Sequence, residues 1–201
     1  MIVRFVVGLL PLFLLAACGS PNNTKSIIES TETTPIRTDT IALEITEAVV
    51  PTTAIMGDFN GDLSRFYANI SDVNAKNQIT EISFQDNKTP PLYVQKTLGG
   101  ALSLLTLEGF NRDLLLFTAK LKDPNFHKYY VFVHREGRWK EVVNSFAIHK
   151  SNFNNDIVPI SENPDNPDEL LRYYSVFDLD ETNPDGYIWR LLQERVAIQN
   201  K

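Results

Sequence analysis

The sequence predicts a mainly β chain. Antiparallel meanders and hairpins are expected, with two repeat units of propeller-blade size and few or no long helices beyond the first residues. Three observations lead there. From residue 41 onward, short apolar runs of strand length alternate with turn residues. Amphipathic helical periodicity is scarce. And one segment recurs: GDFNGDLSRFYANI (57–70) aligns without gaps on EGFNRDLLLFTAKL (108–121), at an offset of 51 residues. Phe59/Phe110, Asn60/Asn111, Asp62/Asp113, Leu63/Leu114, Phe66/Phe117 and Ala68/Ala119 coincide. A period near 50 is that of stacked β-units, but two units are too few to close a propeller. Packed meanders are therefore expected rather than a ring.

The expected strands follow in order: 41–50, 63–70, 78–84, 102–107, 114–121, 129–135, 138–146, 172–177 and 187–193. The last is ambiguous, because IWRLLQERVAI also fits a 3.6-residue period. Two hairpins are well marked. In YYVFVHREGRWKEVV the Glu136-Gly137 pair forms the bend, where glycine supplies the positive φ of a tight turn. Trp139 enters the return strand and is expected to be a core anchor. The second hairpin runs from RYYSVFDLD through ETNPDG to YIWRLL. Between the two, residues 151–168 are rich in Asn, Asp and Pro and are expected to form a long loop.

Composition narrows the function classes. Of 201 residues, 43% are hydrophobic, ample for a packed core, and the formal net charge of -6 repels phosphate. The densest basic run is only Lys120-Leu121-Lys122, so no nucleic-acid partner is expected. Cys18 is the single cysteine, which excludes an internal disulfide and a multi-thiolate zinc site.

The opening residues, MIVRFVVGLLPLFLLAAC, have a short positive start at Arg4, an apolar run over 5–15 and small residues before Cys18. The run is too short to span a bilayer comfortably and ends as a cleavable signal does. Leu15-Ala16-Ala17-Cys18 resembles the lipobox of bacterial lipoproteins. That resemblance implies cleavage before Cys18, a diacylglycerol thioether on its sulfur and acylation of the new amino terminus. Several acyl chains anchor a protein stably where one does not. An ordinary secretory signal is the alternative. Gly19 in place of Asp resembles the pattern sent to the outer membrane. The expected organisation is a signal peptide over 1–17, a lipidated cysteine and tether over 18–40, and one β-rich domain over 41–201 with its repeat at about 57–121. The tether is rich in Ser, Thr, Asn and Pro and holds too few apolar residues to fold.

Two resemblances concern the repeat. GDFNGD opening a strand is similar to FG-GAP-type repeats of integrin-like propellers and of secreted bacterial proteins. The succession of an FNxD turn, LGGALSLLTLEGFNRDLLLF and a hairpin ending in REGRWKEV resembles a group of uncharacterised bacterial lipoproteins with two such turns, over roughly residues 56–147. No activity is implied by either.

GDFNGD is also the candidate metal loop. Asp58, Asn60 and Asp62 place oxygens at alternate positions, as the opening of a calcium loop does. Departures weaken it. Leu63 stands where calcium loops prefer Gly, Phe66 where FG-GAP loops place another Asp, and Asn69 where an EF-hand needs Glu. The second copy has Gly109 at the first ligand position and Arg112 inside the loop. Asp and Asn bonding their own backbone amides in a plain turn is the other reading. A third acidic stretch, with Asp178, Asp180, Asn183 and Asp185, reads as a solvated hairpin loop or a cation site.

Other chemistry finds little support. His127, His134 and His149 have no metal-ligand spacing, and no nucleophile elbow or phosphate loop occurs. Gly99-Gly100 lacks the rest of a dinucleotide fingerprint. Phe126, Tyr129, Tyr130, Tyr173 and Tyr174 are candidate walls of a sugar or peptide groove. The expectation is a noncatalytic envelope module, held to the membrane through Cys18, with an envelope protein or glycan as partner. The alternative is an envelope hydrolase for glycan or peptide, using acidic residues of the 151–186 region as acid and base.

Overall fold

A computed structural model describes residues 50–153 and 157–201. The lipobox with Cys18, the tether, and all but the last residue of the strand expected over 41–50 lie outside the described residues. The described residues are mainly β with almost no helix, as expected. Eleven strands form three antiparallel sheets, each a meander of consecutive strands.

The first sheet holds β1 (Ile55–Gly57), β2 (Phe66–Asn74), β3 (Ile79–Phe84) and β4 (Leu92–Gln95). The second holds β5 (Gly100–Leu105), β6 (Leu114–Lys120), β7 (Phe126–Arg135) and β8 (Arg138–His149). The third holds β9 (Ile160–Glu162), β10 (Glu169–Leu179) and β11 (Tyr187–Ala197). The segment 187–193 is thus strand, paired along its length with β10 from Leu179↔Tyr187 to Glu169↔Ala197. Its helical periodicity is overridden by that cross-strand pairing. Three strands were not expected: β1, β4 and β9 are too short to show an alternation. The Glu136-Gly137 bend has φ of 54° and 71°, both positive, as a primed hairpin turn requires.

The second sheet is buried on both faces. Along β6 and β7 alternate side chains enter different cores. Leu115, Phe117, Ala119, Tyr130 and Phe132 pack with Phe59, Phe66, Ile82 and Phe84 of the first sheet and its loop. Leu114, Tyr129, Val131 and Val133 pack with Val142, Phe146, Ile160 and Leu170, against the third sheet. Burial on both faces explains why YYVFV is apolar without interruption. It also corrects the expectation that Tyr129 and Tyr130 wall a groove: each ring fills a different core. Trp139 is half-buried rather than fully enclosed. It stacks on Phe84 at 4.7 Å and donates its indole N–H to the Pro90 carbonyl at 3.1 Å.

The Gly99-Gly100 pair has a packing reason. A β-carbon on Gly100 would lie 2.1 Å from the Thr118 carbonyl oxygen across the β5–β6 ladder. That approach, not a phosphate, accounts for glycine there.

Candidate functional site

The two copies of the repeat each supply the connection between the first and second strands of a four-stranded meander. They also meet. The Asp58 N–H donates to Asp113 Oδ2 at 2.8 Å, and the Asp113 N–H donates to the Asp58 carbonyl at 2.9 Å. Asp113 Oδ1 accepts from the Thr106 hydroxyl at 3.0 Å. The aspartate of the second copy therefore holds the first copy in place. Phe59 and Phe110 anchor the turns in the two different cores. The repeat register breaks at one pair: Leu114 is fully buried, whereas Leu63 is 92% exposed with φ of 66°.

Within the first turn the oxygens are largely engaged. Asp58 Oδ1 accepts from the Gly61 and Asp62 amides at 2.8 and 3.2 Å, and Oδ2 from the Leu63 amide at 3.0 Å. Asp62 Oδ1 accepts from the Ser64 amide at 2.8 Å. Asn60 Oδ1 is buried and has no partner among the described residues. Arg112 of the second copy lies against this turn: a methyl group at Gly61 would come within 3.3 Å of its Nε. The arginine is fixed there by Asn111 Oδ1, at 3.1 Å from Nε, and by the His134 carbonyl. A guanidinium beside the loop opposes any added cation. Among the described residues no group of three or more His, Cys, Asp or Glu side chains is placed to hold a metal ion.

Of the acidic residues of the 151–186 region, Glu162 and Glu169 line one small cavity of about 110 Å³ together with Glu108, and most of the others are engaged elsewhere. Asp165 pairs with Arg195 at 2.9 Å, Asp168 with Lys201 at 2.8 Å and Asp178 with Arg190 at 2.5 Å. Glu162 accepts from the Glu108 amide, and Glu169 from Asn163 Nδ2 at 2.9 Å. Asp180 accepts from the Thr182 amide and hydroxyl, which hold its carboxyl below the usual range. The hairpin loop is closed by Asp180, Asn183 and Gly186 backbone bonds, and so reads as a structured turn.

His134, which sequence patterns leave unassigned, sits half-buried beside Trp139, and its Nε2 has no partner among the described residues. Burial, with Arg112 adding to it, keeps its pKa below the ordinary value. Sequence reasoning also missed an aromatic cluster. Trp189 stacks on His149 with ring centroids 4.9 Å apart, and Phe126 meets both edge-on at 4.9 and 5.0 Å. Phe126 is the one expected groove residue that reaches it. Tyr173 and Tyr174 are half-buried against the core shared with the third sheet. Three aromatic residues far apart in sequence give no local signal.

No protein-family model, curated protein or solved structure matches this chain. Among the described residues no helix is long and apolar enough to cross a membrane.

Proposed function

We propose that this chain is a lipid-anchored protein of the bacterial cell envelope, held to the membrane, on the outer-membrane pattern, through Cys18, and that its β-domain is a noncatalytic binding module. The observation that carries the reading is the Leu15-Ala16-Ala17-Cys18 lipobox directly after an apolar run, followed by a polar tether. The β-domain adds support. Most aspartates and glutamates of the 151–186 region serve ion pairs, hydrogen bonds and turn caps, which disfavours a pair of free carboxyls for glycan hydrolysis. The two four-stranded meanders, each with the repeat between its first and second strands, support a blade-like unit as the building block. GDFNGD is read as the turn that joins those units. Three amides on the Asp58 carboxylate and Arg112 alongside favour the turn over a calcium site.

The test is processing in a bacterial host. Wild-type protein takes up radioactive palmitate and fractionates with membranes, and Cys18→Ala does neither. Unchanged labelling of the variant overturns the anchor.

A further inference from the structure

A cleft borders the aromatic cluster of Phe126, His149 and Trp189. It lies where the end of β8 meets the β10–β11 hairpin, and has a volume of about 410 Å³, within the 300–1,000 Å³ of small-molecule sites. Asn125, Ser151, Asn183, Asp185, Tyr187 and Trp189 line it. Tyr187 is 42% exposed, with one face stacked on Phe177 at 5.2 Å. Amide, hydroxyl and carboxylate groups thus surround aromatic rings. Two further lining residues bear on the charge: Lys150 offsets Asp185, and burial, with Lys150 beside it, lowers the pKa of His149 and so disfavours its cationic form. A lining without net charge favours a neutral ligand.

The site is preformed. Asn152 Nδ2 donates to Ser175 Oγ and to the Trp189 carbonyl, each at 2.9 Å, and the His149 amide donates to Ser175 Oγ at 2.9 Å. His149 Nδ1 lies 2.8 Å from Ser151 Oγ and 3.3 Å from the Ser151 amide nitrogen, which holds the ring in place. Rigid walls lower the ordering cost of binding. The bond from Asn152 also has a selective effect. β11 is an edge strand, open in principle to an added peptide strand. Asn152 occupies its outward carbonyl at Trp189, so strand addition is blocked at the cleft.

We propose that this cleft binds a neutral glycan chain. Sugar C–H faces stack on the exposed Tyr187 ring, beside Trp189, and hydroxyl or acetamido groups bond Asp185, Asn183, Asn125 and Ser151. The inference rests on the reading of the chain as a binding module, but not on its anchor, which palmitate labelling of Cys18 tests separately.

The experiment titrates the full chain, purified in detergent, with a β-1,4-linked N-acetylglucosamine tetramer and follows tryptophan fluorescence, to which Trp189 contributes. A saturable change is expected. Tyr187→Ala and Asp185→Ala should each weaken it by about tenfold, the worth of one aromatic or hydrogen-bonding contact. Asp185 is exposed and makes no side-chain bond among the described residues, so its variant stays folded even if Tyr187→Ala does not. Tyr93→Ala, at a tyrosine 58% exposed on the first sheet, should leave binding unchanged. No saturable response at millimolar tetramer overturns the proposal. So does an equal loss in Tyr93→Ala, or displacement of the tetramer by a peptide of mixed sequence.

Discussion

Asp58→Ala tests whether the first repeat turn is held by its own aspartate. The carboxylate accepts three amides, at 2.8, 3.0 and 3.2 Å, and only the bond from Gly61 is part-buried. Intramolecular hydrogen bonds contribute about 0.5–1.5 kcal/mol each, and loss of a helix-cap aspartate costs about 0.5–2. Exposure places two of the three bonds at the low end, so the expected loss is about 2 kcal/mol. For a domain of this size that corresponds to a fall in Tm of about 4–8 °C. Urea unfolding measures the free energy, and a scan with chelator and another with millimolar calcium measure Tm. The same loss is expected in both, because the stabilisation lies in the amides. Asp113→Ala should act on the same structure, and the double variant should lose less than the sum, since Asp113 bonds the Asp58 amide directly. A loss below about 0.5 kcal/mol would refute the cap, since that is less than one hydrogen bond. A loss seen only with calcium present would refute it differently, showing that the loop holds an ion that stabilises the native state.

Three further outcomes are expected. Gly61→Ala should destabilise by about 1–3 kcal/mol, because φ is +71° and the new methyl would meet the Asn111 carbonyl at 2.8 Å; Gly137→Ala has the same φ but open space and should cost less, and equal losses in urea unfolding would remove the contact from the account. Trp139→Ala should cost about 2–3 kcal/mol, below the 3–5 of a fully buried tryptophan, and Trp139→Phe about 1 kcal/mol for the lost bond to Pro90; a loss under 1 kcal/mol in the alanine variant would contradict the Phe84 stack. Because burial and Arg112 depress the pKa of His134, the unfolded chain takes up a proton that the folded chain resists. Stability contributed by the neutral ring is complete above the ordinary value of about 6.5 and is lost as pH falls through the folded value, so Tm should drop on acidification and drop less in His134→Gln; a Tm that rises on acidification would reverse that sign.

The strands legible in the sequence are those long enough to show a pattern, and both marked hairpins carry a glycine in the bend, Gly137 in a two-residue turn and Gly186 at the end of a longer loop. β1, β4 and β9, at three or four residues, carry no period, and β9 is set among prolines and asparagines that read as loop. The unbroken YYVFV run was the available sign that the second sheet is covered twice, since an apolar run without alternation marks a strand buried on both faces. The alignment of GDFNGD with EGFNRD was visible, but not that the copies bond each other. That contact depends on how two sheets stack, and no local spacing encodes it. The same holds for Trp189 on His149: one belongs to a hairpin and the other ends a different sheet, and tertiary packing alone joins them.

The shared central sheet sets an order on vectorial synthesis. The first sheet can close its own ladders once residue 95 has emerged. Its apolar face, with Phe66, Ile82 and Phe84, has no cover until Phe117, Tyr130 and Phe132 follow. Over that stretch of elongation the nascent chain exposes a sheet face rich in phenylalanine, a surface prone to aggregate and suited to capture by a holding chaperone. The interval ends when β7 docks.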